Sequence, residues 1–111
     1  MDKAEPLGEL ITRLEGQNQH TSRARLNYLS KEAERKHFEA TQVSSMLGKS
    51  HAEKVTLAQG TSQWLNFHKE LAKLESLYEF EKMKLEIMRL EFNAVYLQQK
   101  QDFIAITQGA E

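Results

Sequence analysis

The pattern of apolar and polar positions predicts helices along the whole chain. Apolar residues recur every three or four positions, beginning with Leu7, Leu10 and Leu14, and no stretch alternates with the period of a strand. The intervening residues are rich in Leu, Glu, Lys, Gln and Ala, which favour helix. The predicted fold class is all-α: an elongated helical hairpin or coiled-coil-like bundle, oligomeric, with one long C-terminal helix.

A single helical domain is predicted over residues 1–111. Its parts are an N-terminal helical arm, a connection with a short helix and a long helix, at about residues 5–47, 48–61 and 62–107. In the arm, the polar stretch 16–21 favours a break or kink, and one continuous helix is the alternative, since a lone Gly costs only about 1 kcal/mol. In the connection, Ser50 and Glu53 match a capping box.

The long helix lacks Pro and Gly, and unbroken it would extend about 65 Å. A compact chain of this size has a diameter of about 30–35 Å, so the length argues for a rod or an oligomer. The arm offers a thin apolar seam, interrupted by one lysine, for packing on the long helix. That seam consists of Leu26, Leu29, Ala33, Lys36, Ala40, Val43 and Leu47.

Two apolar stripes run along opposite sides of the long helix. With Trp64 placed at heptad position a, ten of the thirteen a and d positions are apolar or aromatic. We call the residues of this set that should hold the hairpin the inner seam: Trp64, Phe67, Leu71, Leu74, Leu85, Met88 and Phe92. Positions c and f form a second stripe, about 160° away at 100° per residue. We call its large side chains the outer stripe: Phe80, Met83, Ile87, Leu90, Leu97 and Ile104.

An exposed outer stripe would present several hundred Å² of apolar surface, more than monomers usually tolerate. Three arrangements would cover it: a compact three- or four-helix bundle, a second copy of the chain, or a different protein. The interpretation requires that residues 83–97 lie in one unbroken helix and that the back of that helix is covered.

Glu81 occupies a d position within the inner seam. It is interpreted as a solvated interruption where the hairpin ends, or alternatively as the partner of Lys36 on the arm. A buried charge pair would set the register of the helices more than it would add stability.

Little in the chain points to catalysis. Cysteine is absent, no two of the four histidines lie three or four residues apart, and the nucleophile and phosphate-binding motifs are missing. We therefore expect no enzymatic activity, metal, cofactor or small-molecule substrate. The first residues lack the build of a signal peptide and no window has 18 uninterrupted apolar residues, so a cytoplasmic protein without a membrane contact is expected.

The net charge of −1 means that nucleic-acid binding would require a local basic patch. Residues 20–38 provide one, which gives the alternative function of a nucleic-acid-binding accessory protein. Its candidate contacts are Arg23, Arg25, Lys31, Arg35 and Lys36.

The favoured function is a non-catalytic protein–protein interaction module. It would act as a self-associating adaptor, or as a chaperone-like or inhibitory accessory protein, by burying the outer stripe against a helix of itself or of another protein. No motif of a known family accompanies this pattern.

Overall fold

The computed structural model describes residues 7–109, which form three helices and no strand. Helix α1 spans Leu7–Ser44, α2 spans His51–Gln59 and α3 spans Ser62–Gly109. The all-α class and the helical hairpin are therefore confirmed. The predicted start of the arm at residue 5 lies outside the described residues.

Helix α1 is continuous through residues 16–21, so the expected break there is wrong. The side chains of this segment explain why it stays helical. Thr21 Oγ1 donates to the carbonyl of Gln17 at 2.8 Å, and Gln17 Nε2 donates to the carbonyl of Glu81 at 3.0 Å. These polar side chains hold the segment against α3, which outweighs the small helical cost of Gly16.

The connection follows the predicted capping chemistry with one difference. Ser50 has extended backbone angles and its Oγ accepts a hydrogen bond from the Glu53 N–H at 3.1 Å, as an N-cap does. The Glu53 carboxylate accepts from the backbone N–H of Lys49, at 3.1 Å, rather than from that of Ser50. At the start of α3, Thr61 Oγ1 accepts from the Trp64 N–H at 3.2 Å.

The described chain divides into two compact units. The central unit comprises Arg23–Glu79, and within it α1 and α3 run antiparallel. The rings of Tyr28 and Tyr78 stack with centroids 6.2 Å apart, and those of Phe38 and Phe67 stack at 4.2 Å. Phe38 lies ten residues after Tyr28 on α1, whereas its partner Phe67 lies eleven residues before Tyr78 on α3, as antiparallel packing requires.

The terminal unit comprises residues 7–22 and 80–109, and it is antiparallel as well. Arg13 Nη2 lies 3.9 Å from Glu91 Oε2, and Thr21 Oγ1 donates to the carbonyl of Glu81 at 3.2 Å. Leu10 and Leu85 are each only 5% exposed and form the apolar core of this unit.

The seam predicted for α1 is wrong. Leu26 is 65% exposed and Leu47 is 96% exposed, while Ala33, Lys36 and Ala40 are exposed too. The face that is buried or half-buried follows the same three- and four-residue spacing on other positions: Leu10, Leu14, Gln17, Thr21, Ala24, Tyr28, Lys31, Arg35 and Phe38. Polar residues occupy several of these positions. The sequence pattern therefore did not indicate this face, because hydrophobic periodicity is recognised from apolar residues alone.

Candidate partner-binding surface

The outer stripe lies on one uninterrupted helix, α3, and it is not covered by the described part of its own chain. The exposed fractions of its six residues range from 45% to 67%. The most exposed are Leu90 and Met83, at 67% and 60%. Within the described residues, a compact bundle in which both stripes of α3 are core is therefore wrong.

The inner seam lies on the opposite side of the same helix. Leu71 and Leu85 are buried, at 8% and 5% exposed, and the other five residues of the seam are half-buried: Trp64, Phe67, Leu74, Met88 and Phe92. The spacing of three and four residues keeps them on one side because α-helices turn 100° per residue. One side of α3 is therefore packed within the chain, and the opposite side is open to solvent.

Charged side chains border the outer stripe in the terminal unit. Lys84 Nζ lies 3.3 Å from Glu81 Oε1 and 4.9 Å from the centroid of the Phe80 ring. Glu91 faces Arg13 at 3.9 Å, near the upper limit for an ion pair. The side chains of Lys84 and Glu91 keep 41% and 49% of their area exposed, so both remain accessible at the edge of the stripe.

Glu81 is the centre of a polar layer in the terminal unit, and both interpretations of it from the sequence are wrong. Its side chain is only 16% exposed, and its carboxylate accepts a hydrogen bond from Gln17 Nε2 and pairs with Lys84 rather than with Lys36. Its backbone carbonyl also accepts from Gln17 and Thr21. The hydrogen bond from Gln17 lowers the pKa of Glu81, with Lys84 acting in the same direction and burial opposing it.

Sequence reasoning missed Gln17 and Thr21, which are buried at 5% and 8% exposed. One signal was available: Gln17 lies three residues from Leu14 and Thr21 lies three residues from Ala24, on the same side of α1. Because buried polar groups require partners, these two side chains fix which part of α3 lies opposite this segment.

The five candidate nucleic-acid contacts do not share one face of α1. Lys31 places its Nζ 4.4 Å from the centroid of the Phe67 ring, inside the central unit. Arg35 binds Glu32 at 2.8 Å and Glu39 at 3.3 Å, and the hydrogen bond to Glu32 raises its pKa. Three of the five remain exposed: Arg23, Arg25 and Lys36.

An aromatic cluster joins the helices of the central unit. Phe38 packs on Phe67 and on Trp64, and His68 lies 5.0 Å from the Trp64 ring. The buried His68 Nε2 is 3.0 Å from a carboxylate oxygen of Glu39, without hydrogen-bond geometry.

A groove of about 570 Å³ opens beside this cluster. Its lining residues come from all three helices: Glu39, Ala40, Val43, Ser44, His51, Lys54, Val55, Gln59 and Trp64. No local motif predicts this groove, because its walls come from three helices that the turns between them bring together.

Within residues 7–109, no group of three or more His, Asp or Glu side chains is arranged to hold a metal ion. None of the described helices combines the length and apolar character that crossing a membrane requires. Searches of protein-family models, curated proteins and solved structures gave no match to this chain.

Proposed function

We propose that this chain is a non-catalytic protein–protein interaction module that buries the outer stripe of α3 against a second copy of itself. The observation that carries the proposal is the exposure of six large apolar side chains, all at heptad spacing on one continuous helix. Sustained three- and four-residue spacing is the pattern by which one helix packs against another.

The size of the outer stripe supports a stable interface. Aromatic side chains bury roughly 150–250 Å² each, and with the aliphatic side chains taken at the lower end of that range, six that are about half exposed present roughly 500 Å² per chain. Specific interfaces bury more than about 1,000 Å² in total, and two facing stripes would bury roughly that area before their polar borders are included. One unpaired stripe of this size lies towards the upper end of the largest apolar patches that monomers expose, roughly 300–600 Å², and such patches are often functional.

A second copy is the partner that this surface fits with the fewest assumptions. A two-fold dimer uses the same patch on both subunits, so that the two outer stripes can cover each other. The inner seam, on the opposite side of α3, keeps its packing in such a dimer. The biological use of the assembly, whether as an adaptor or as a chaperone-like or inhibitory protein, follows from what else the dimer contacts.

Charged substitutions in the outer stripe test the proposal. Ile87→Lys and Leu90→Glu should convert the associated protein into single chains, as measured by size-exclusion chromatography with light scattering, while circular dichroism shows unchanged helicity. The matched control is Leu26→Glu, because Leu26 on α1 is 65% exposed and Leu90 is 67% exposed. The control variant should keep the mass of the wild-type assembly.

Three results would overturn the proposal. One is a wild-type protein that has the mass of a single chain at all concentrations. Another is a Leu90→Glu protein that keeps the wild-type mass. The third is unfolding of both stripe variants, since that would place the outer stripe in the core of the chain.

Nucleic-acid binding is not proposed, because Lys31 and Arg35 are engaged within the central unit. The test for nucleic-acid binding is independent of the test for self-association. Retention of the protein on duplex or single-stranded DNA at about 50 mM salt, with a steep loss at higher salt, would support that alternative.

A further inference from the structure

The residues that border the outer stripe indicate the orientation in which two copies of α3 would pair. Numbered as a heptad seam, the stripe has Phe80, Ile87 and Ala94 at one core position. The other core position holds Met83, Leu90 and Leu97. Of the charged and polar residues that border the segment, Lys84 and Glu91 lie on one edge, and Glu86 and Asn93 lie on the other.

A parallel, in-register pair of helices gains no net charge attraction from these borders. Parallel packing brings Glu86 of each copy beside Glu91 of the other, and this like-charge contact offsets the attraction between Glu79 and Lys84 one heptad earlier. It also stacks each core residue on itself, so that two Phe80 rings meet in one layer and two Ala94 side chains leave a thin layer elsewhere. Such uneven layers pack less well than layers that match large with small side chains.

We propose that the two α3 helices pair in antiparallel orientation, with the two-fold axis level with residues 88–89. This inference rests on the proposed self-association. In this register Phe80 faces Leu97 of the other copy, and Ile87 faces Leu90. The long Met83 side chain faces the small Ala94, which evens the layer.

The edge charges then become complementary. Lys84 of each copy faces Glu91 of the other, and this pair occurs twice because of the two-fold symmetry. Glu86 faces the neutral Asn93. Lys84 and Glu91 keep 41% and 49% of their side-chain area exposed for this contact, while within the chain Lys84 also pairs with Glu81 at 3.3 Å and Glu91 lies 3.9 Å from Arg13.

The charges also distinguish this register from its neighbours. A shift of one heptad in one direction places Glu91 against Glu91, and a shift in the other direction places Lys84 against Lys84. Only the register centred at residues 88–89 pairs these edge residues with opposite charge, so like-charge repulsion disfavours the two alternatives.

Single cysteines test the orientation, because the chain has no cysteine of its own. The variants are Met83→Cys and Ala94→Cys, each refolded alone and also refolded as an equal mixture. In the antiparallel register, residues 94 of the two copies are offset by eleven residues, about 16 Å along the helix. A disulfide requires Cα atoms within about 7 Å.

The mixture should therefore form a disulfide-linked dimer on mild oxidation, as seen by non-reducing electrophoresis and mass spectrometry. Each variant alone should form at least tenfold less. Efficient linkage of either variant with itself would indicate parallel packing and overturn the antiparallel register. Association without any linkage in the mixture would also overturn it.

A charge exchange provides an independent readout. Glu91→Lys should weaken the dimer by about tenfold in Kd, because two attractive contacts with Lys84 become repulsive, whereas parallel packing predicts tighter association. The double variant Lys84→Glu/Glu91→Lys should restore the wild-type Kd to within about threefold. Kd values are compared under conditions where circular dichroism shows that each variant is folded, because the substitutions also change the contacts with Glu81 and Arg13. Failure of the wild-type chain to self-associate would overturn the proposed function, while association with the opposite response to Glu91→Lys would overturn only the register.

Discussion

A Leu→Ala substitution on each side of α3 should lower the free energy of unfolding by different amounts on the two sides. Leu85 and Leu90 lie five residues apart on the same helix, and they are 5% and 67% exposed. Leu→Ala removes three carbons from either side chain, which is worth about 2.4 kcal/mol of transfer free energy when the side chain is fully buried. The two variants therefore have the same chemistry and different surroundings.

Scaling by the buried fraction gives the expected losses in the free energy of unfolding of the single chain. The transfer loss is about 2.3 kcal/mol for Leu85→Ala and about 0.8 kcal/mol for Leu90→Ala. A cavity left at Leu85 adds to the first value, since buried Leu→Ala changes cost about 2–5 kcal/mol in total. Because small domains are stable by only about 5–15 kcal/mol, the first loss is a large fraction of the total.

The assay is urea unfolding followed by circular dichroism, at a concentration where light scattering shows single chains. The slope of the transition should be unchanged, so that the midpoints report stability. At higher concentrations the cost of Leu90→Ala should rise by up to about 1.6 kcal/mol per chain, because association buries the exposed part of this side chain. Equal losses for the two variants in the single-chain regime would refute the assignment of inner and outer faces.

Two further predictions concern hydrogen bonds. The pKa of Glu81 is held below its ordinary value of 4.5 by Gln17, so its carboxylate stabilises the fold above that pH, and the stabilisation is lost as the pH falls through the lowered pKa. The Glu81→Gln variant should therefore lose less stability than the wild type between about pH 5 and pH 3, as measured by urea unfolding across that range. An equal loss in the two proteins would contradict this role. Ser50→Ala should cost about 1 kcal/mol in urea unfolding by removing the acceptor for the Glu53 N–H, whereas Ser50→Asn should retain most of the stability, and equal losses would argue against the cap.

Helical periodicity predicted the long helix closely. Residues 62–107 were expected and α3 spans Ser62–Gly109, because Thr61 caps the helix start and no Pro or Gly interrupts the helix before Gly109. The two stripes of α3 were also visible in the sequence, since position on a helix is a local property that depends only on residue spacing. The N-cap at Ser50 was predictable for the same reason.

Helix α1 shows the limit of the same reasoning. Its buried face includes Gln17 and Thr21, whereas Leu26 is 65% exposed, so an apolar pattern alone selected the wrong side. Polar residues are tolerated in the seam because each finds a partner on the other helix, and a sequence does not show which distant residue will supply it.

The sequence by itself determined the helical class, the bounds of the long helix and the existence of two opposed apolar stripes on it, because all three depend on local spacing. The tertiary structure decided which stripe packs within the chain, which side of α1 faces α3 and what surrounds Glu81. Those outcomes depend on contacts between residues roughly thirty to eighty positions apart, and the free energies of such contacts are fixed only when both helices are in place.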